Sequence, residues 1–155
     1  MPMGKILEFL TVNVATPDLD TTLAKWRKLG LDTLPAAHMP DPPVEITDVT
    51  VPIGSLGAIS VIAPTGPGSA VNRFLAKRGP GAYSIAVRVD SLPEVMKEWS
   101  AAGIEWVLPE PQELPPGTPA ARYMPEKVRI NWVKPSSLGG IMLEVFEFSG
   151  RIEYH

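Results

Sequence analysis

The stretch YSIAVRVDSLPEVMKEWSAAGI, residues 83–104, decides the fold, because an earlier stretch repeats it. LTVNVATPDLDTTLAKWRKLGL, residues 10–31, lies over it without a gap: Thr11 meets Ser84, Val12 meets Ile85, Leu19 meets Leu92, Trp26 meets Trp99 and Gly30 meets Gly103. Self-similarity of this kind marks a duplicated structural unit. Each copy opens with apolar residues at every second position, Val12 and Val14 in one and Ile85, Val87 and Val89 in the other, which is the period of a strand with one buried face. The period then changes. Leu19, Leu23 and Trp26, like Leu92, Met96 and Trp99, stand at i, i+4 and i+7 and form one apolar stripe on a helix packed against the sheet. Asp18 starts the first helix, and Ser91 with Glu94 three residues later starts the second. Gly30 and Gly103 supply the stops.

Outward from the two helices, each copy runs through proline-rich extended chain into further strands. EITDVTVPIG (45–54) and AISVIAP (58–64) follow the first helix; RINWVKP (129–135) and IMLEVFEF (141–148), joined by the turn SSLGG, follow the second. A third strand in each copy falls among prolines, which weaken strand pairing. GSAVNRFLAKRG carries Val71, Phe74 and Leu75 at i, i+3 and i+4 and reads as a short linking helix. The expected fold is α+β: one domain over residues 1–155, with a βαβββ module at 5–66, a linker helix at 67–80 and a second module at 81–149, forming a curved mixed sheet around a cleft. TGPGS and RGPGA do not lie between a strand and a helix at phosphate-loop spacing and read as turns.

Strand alternation sorts side chains between the helix and the opposite face. With Val12, Val14, Ile85 and Val87 toward the helices, Thr11, Asn13, Ser84, Ala86 and Arg88 face the other way, as do Ser60, Ile62, Glu144 and Phe146 on the closing strands. The repeat therefore singles out Thr11, Ser60, Ser84 and Glu144 as equivalent positions.

Composition narrows the function. Fourteen basic against seventeen acidic residues, a net charge of −3, and no long basic run give no footprint for nucleic acid or an anionic membrane. No segment has the length of a membrane span, and the opening MPMGKILEFL lacks a signal-peptide core, so the expected location is cytoplasmic. The chain has no cysteine and two histidines, His38 and the terminal His155, which argues against a multi-histidine metal centre. A hydrophobic content of 45% over 155 residues suffices for one core.

FLTVNVATPDLD, SAVNRFLAKRGPGAYSIAVRVDSLPEV and RINWVKPSSLGGIMLEVFEF resemble the vicinal-oxygen-chelate (glyoxalase/bleomycin-resistance) superfamily, and within it the methylmalonyl-CoA epimerase branch. The resemblance implies paired βαβββ modules, a cleft with a divalent metal held by two residues per module, a homodimer, and proton transfer on an acyl thioester. The family's ligands fall on Thr11, Ser60, Ser84 and Glu144, and only Glu144 keeps its ligand type. One carboxylate and three hydroxyls suit neither zinc-like metals nor calcium or magnesium. The expectation is therefore no metal and no other cofactor.

What remains is an isomerase, epimerase or lyase acting on a small carbonyl compound or acyl-CoA-like ester. Glu144, among Met142, Phe146 and Ile62, is the expected acid/base; Thr11, Asn13, Ser60 and Ser84 are the donors that replace the metal at a substrate oxygen. Arg88, Trp132 and Phe146 join them as substrate-binding residues. The resemblance puts a second base near residues 45–51, with Glu45 as candidate, although an exposed charge explains Glu45 as well. His38, in PAAHMPDPP, reads as a solvated loop residue that can overhang the cleft, and Arg122 and Tyr123 sit on an equivalent proline-rich wall. The alternative is a non-catalytic protein that sequesters a small molecule among Phe146, Trp132 and Trp106.

Overall fold

In a computed structural model, residues 4–54, 57–114 and 127–149 are described. Their elements run β1 (Ile6–Ala15), α1 (Leu19–Arg27), β2 (Ala37–Met39), β3 (Ile46–Ile53), β4 (Gly57–Pro64), α2 (Val71–Arg78), β5 (Gly81–Val89), α3 (Leu92–Ala101), β6 (Gln112–Leu114), β7 (Val128–Val133) and β8 (Met142–Glu147). This is βαβββ twice, with α2 between, and the class is α+β as the repeat predicts. The chain divides into two compact bodies. One is Thr11–Tyr83; the other joins the residues up to Leu10 to those from Ser84 onward.

In the first body the strand order is β1-β4-β3-β2, with β1 parallel to β4 and the remaining neighbours antiparallel. Val12 pairs with Ile59 and Val14 with Val61, and Leu23, Val49, Val51 and Val61 form a buried cluster under α1, with Trp26 packed against it. Asp18 caps α1 by accepting from the Thr21 amide at 3.0 Å, which satisfies one of the amides a helix start leaves unpaired. On the opposite face Ala15, Ile46, Ile62 and Val71 are buried, joined by Phe74, Leu75 and Tyr83, so the amphipathic α2 covers part of that face.

The second body repeats the plan: order β5-β8-β7-β6, with β5 parallel to β8. The registers correspond. Asn13 lies opposite Ser60 in the first body, and Ala86, its repeat partner, lies opposite Glu144 in the second. Val87, Val89, Leu92, Val95, Val133 and Val145 are buried beneath α3, with Trp99 packed on them. The other face carries Leu10, Ala86, Leu114, Val128, Ile130, Phe146 and Phe148. Ser91 caps α3 through the Glu94 amide, and Gly103, just past the helix, takes φ 90°, a conformation costly for residues with a Cβ.

The proline-interrupted strands are the shortest, at three residues each. His38 lies on one of them, β2, rather than in a loop, although its side chain is exposed. Among the described residues no helix is long and apolar enough to cross a membrane.

Candidate functional site

The first body gathers a polar patch on the face turned away from α1. Thr11 and Asn13 reach it from β1 and Ser60 from β4. The Thr11 hydroxyl donates to Asn13 Oδ1 at 2.8 Å. Ser60, 5% exposed, donates to Asp48 Oδ1 at 2.6 Å. Asp48 comes from β3, where it pairs with Ile62, one step along from the Thr50–Ser60 pair. Pairs offset by one step on the same face remain within reach of each other, which explains the contact.

Asp48 carries the electrostatics of this patch. Its side chain is only partly open to solvent, and burial pushes its carboxyl up from an ordinary 3.8 to about 6, against the opposing pull of the Ser60 hydrogen bond. A carboxyl desolvated but not sealed, and titrating close to neutrality, is suited to exchange protons with a substrate.

Sequence reasoning passed over Asp48 in favour of Glu45. The signal was present in the alternation of EITDVTVPIG: Val49 and Val51 face α1, so Asp48 and Thr50 face the other way. The repeat register sharpens it, because Asp48 occupies the place that the buried Ile130 holds in the second body, opposite Phe146 as Asp48 is opposite Ile62. A carboxylate where the duplicate has core is the anomaly.

Glu45 lies elsewhere. It precedes β3 with φ 43°, its carbonyl accepts from the Thr65 amide at 2.9 Å, and its carboxylate rests over Gly66, where an added Cβ would stand 2.6 Å from its Cδ. The structure thus sets Asp48, not Glu45, beside Ser60. His38 accepts or donates through Nδ1 to Thr47 at 2.9 Å, on the strand face opposite to Asp48, so it does not join the patch.

In the second body Glu144 stands on β8 between Ala86 of β5 and Trp132 of β7. The Trp132 indole donates from Nε1 to Glu144 Oε2 at 2.9 Å, a charge-assisted bond that fixes the carboxylate's orientation. Trp132 packs against the apolar cluster of that face, in which Phe146 is 3% exposed. Ser84 is fully buried on β5.

Arg88 has a partner that the sequence reading did not assign. Its Nε lies 2.6 Å from Glu8 Oε1, Nη1 donates to the Phe148 carbonyl at 3.2 Å, and the guanidinium sits 5.2 Å from the Phe148 ring centre. Its guanidinium is thus engaged within the fold. Trp106 likewise belongs to the α3 side, stacked on Trp99 at 5.6 Å, and not with Phe146 and Trp132. Arg122, Tyr123 and His155 lie outside the described residues.

A family model described as the Glyoxalase/Bleomycin resistance protein/Dioxygenase superfamily matches residues 12–121, more than half of the chain. The chain belongs to this superfamily. Among solved structures, methylmalonyl-CoA epimerase from Mycobacterium tuberculosis is 24% identical with a TM-score of 0.78, over 97% of this chain and 93% of that one. A hypothetical protein from Bacillus halodurans is 22% identical, with a TM-score of 0.76, over 98% and 99%. A variant of Streptomyces coelicolor methylmalonyl-CoA epimerase, in complex with 2-nitronate-propionyl-CoA, is 19% identical with a TM-score of 0.77, over 94% and 100%. These likenesses concern the fold. No curated protein sequence matches significantly.

The sequence reading set Thr11, Ser60, Ser84 and Glu144 at the positions expected of metal ligands. The donor set does not fit a divalent metal. Three of the four are neutral hydroxyls; two of these, Thr11 and Ser60, already donate to protein oxygens, and Glu144 accepts from an indole N–H. Among the described residues no group of three or more His, Asp or Glu side chains is gathered.

Proposed function

We propose that this protein is an isomerase or epimerase, or a mechanistically related lyase, that moves protons on a small carbonyl compound or acyl thioester without a metal. The observation that carries this reading is Asp48, partly covered, held by Ser60 and shifted to about 6. Glu144, oriented by Trp132 in one body, and Asp48, desolvated in the other, are each a candidate acid/base group for the proton on the carbon next to the carbonyl. Support for the substrate class comes from structural neighbours that hold 2-nitronate-propionyl-CoA and methylmalonyl-CoA.

Sequestration without turnover is the second reading, favoured by the apolar setting of Glu144 among Ala86, Trp132 and Phe146. The test is incubation in heavy water with methylmalonyl-CoA, 2-hydroxypropionyl-CoA and cyclohex-2-enone, followed by NMR. Deuterium at the carbon next to the carbonyl, lost by about 100-fold or more in Glu144→Gln, supports the enzyme. Binding of a probe without exchange of any supports sequestration instead.

A further inference from the structure

The first body carries a groove on its α1 side, across the sheet from Asp48 and Ser60. One wall is α1, through Leu19, Asp20, Leu23 and Arg27, and the other is the chain at 33–36, tied down by the Leu34 amide, which donates to the Thr50 carbonyl at 2.9 Å. Leu23 and Val49, both buried, make the base apolar. Its volume of about 370 Å³ suits a small molecule and not a folded partner. Two opposite charges border it and are held apart. Asp20 lies in the first turn of α1 and Arg27 in the last, separated by about 10 Å along the axis. Opposite charges on a helix pair at three or four residues, and from either side those places fall on Leu23 and Ala24. Neither Asp20 nor Arg27 forms an ion pair among the described residues. Arg27 donates from Nε and Nη2 to the Thr33 hydroxyl at 3.2 and 2.9 Å, so its guanidinium reaches from one wall to the other and keeps its remaining N–H groups for another acceptor. The Asp20 carboxylate accepts no hydrogen bond among the described residues.

We propose that this groove binds a linear molecule with an aliphatic middle, an ammonium at one end against Asp20 and a carboxylate at the other against Arg27. The inference is independent of the proton-transfer reading, because the groove shares no residue with the Asp48 patch or with the surroundings of Glu144. Each part of the ligand answers one part of the site. The planar guanidinium presents its donors in the geometry of a carboxylate, and the unpaired Asp20 carboxylate attracts an ammonium. Between them the side chains of Leu19, Leu23 and Val49 offer no polar group, so a hydroxylated middle would lose water without gaining a partner. The helix dipole opposes this orientation, but it amounts to about half a charge at each end, and the unit charges of Asp20 and Arg27 outweigh it. Lys25, also in the last turn, strengthens the positive end.

Matched probes test this in the full-length protein, titrated with 8-aminooctanoate, 4-aminobutanoate, octanoate and octylamine and followed by amide NMR. 8-Aminooctanoate, long enough to touch both charges, should shift the signals of α1 and Leu34. It should bind about tenfold more tightly than octanoate or octylamine, the loss of one hydrogen-bonded charge, and more tightly than 4-aminobutanoate, which reaches only one end. Asp20→Asn should bring 8-aminooctanoate to the affinity of octanoate, and Arg27→Met to that of octylamine, a drop of about tenfold in each case, while octanoate binding stays unchanged in Asp20→Asn. Both side chains are exposed, and the wild-type series needs no variant. Equal binding of the three long probes, an affinity for 8-aminooctanoate indifferent to both substitutions, or no shift at α1 and Leu34 would overturn the site. Shifts confined to Asp48, Ser60 and Glu144 would overturn it as well, by placing the probe on the other face. Either failure leaves the proton-transfer reading to its own test.

Discussion

Asp48 is a carboxyl whose environment departs far from what water would give it. Its raised value means that the folded protein holds a proton that the unfolded chain releases between about pH 4 and pH 6. Stability at this site is therefore fully present below pH 4 and declines as pH rises through 6, the opposite of a salt-bridged carboxylate. Above that window the ionised group costs on the order of 2–3 kcal/mol. Asp48→Asn keeps an oxygen for Ser60 and removes the charge. It should raise the melting temperature at pH 7 while leaving it nearly unchanged at pH 4, measured by differential scanning calorimetry. A variant less stable than wild type at pH 7 would contradict the burial argument. The sequence made Glu144 conspicuous because it alone kept a ligand type, and left Asp48 inconspicuous because attention fell on the first residue of EITDVTVPIG. Asp48's importance depends on what surrounds it, namely the Ser60 hydroxyl and the loss of water, and both are set by strand register.

Elements were more legible than sites. Duplicated strand and helix periods placed β1, α1, β5 and α3, because alternation and the i, i+4, i+7 stripes each have one consistent solution against a buried face. The three-residue β2 and β6 were obscured by neighbouring prolines, since their pairing is decided by partners on β3 and β7 and not by their own composition. Asn131 shows the same limit. It is fully buried on β7, where its amide accepts from Leu108 N at 3.1 Å and from Trp132 N at 2.8 Å and donates to Leu108 O at 3.0 Å. An asparagine between Ile130 and Trp132 carries no such signal in sequence, yet it ties the chain after α3 to the sheet. Asn131→Ala leaves those backbone groups unpaired and should cost about 2–3 kcal/mol in urea unfolding, at the upper end of what one buried unsatisfied group costs. Substitution of the exposed Glu105, whose contact with Lys134 is 3.5 Å, should change stability by less than about 1 kcal/mol.

At the scale of the whole molecule, duplication explains how the polar face of each module can vary while the frame is kept. Each module keeps its βαβββ frame and its core beneath the helix, so the polar positions on the other face are free to vary without loss of the fold. In the first module Asp48, Ser60, Asn13 and Thr11 are bonded among themselves, and in the second Glu144 is bonded to Trp132, so these side chains are organised by one another. Addition of zinc, cobalt or magnesium should then leave the melting temperature unchanged, because a ligand that does not bind the native state cannot stabilise it. The most direct measurement is hydrogen–deuterium exchange on 2-hydroxypropionyl-CoA and methylmalonyl-CoA, followed by NMR with protein dialysed against chelator. The account predicts exchange at the undialysed rate, lowered by about 100-fold or more in Glu144→Gln. Exchange that vanishes on dialysis and returns with a divalent metal would contradict it.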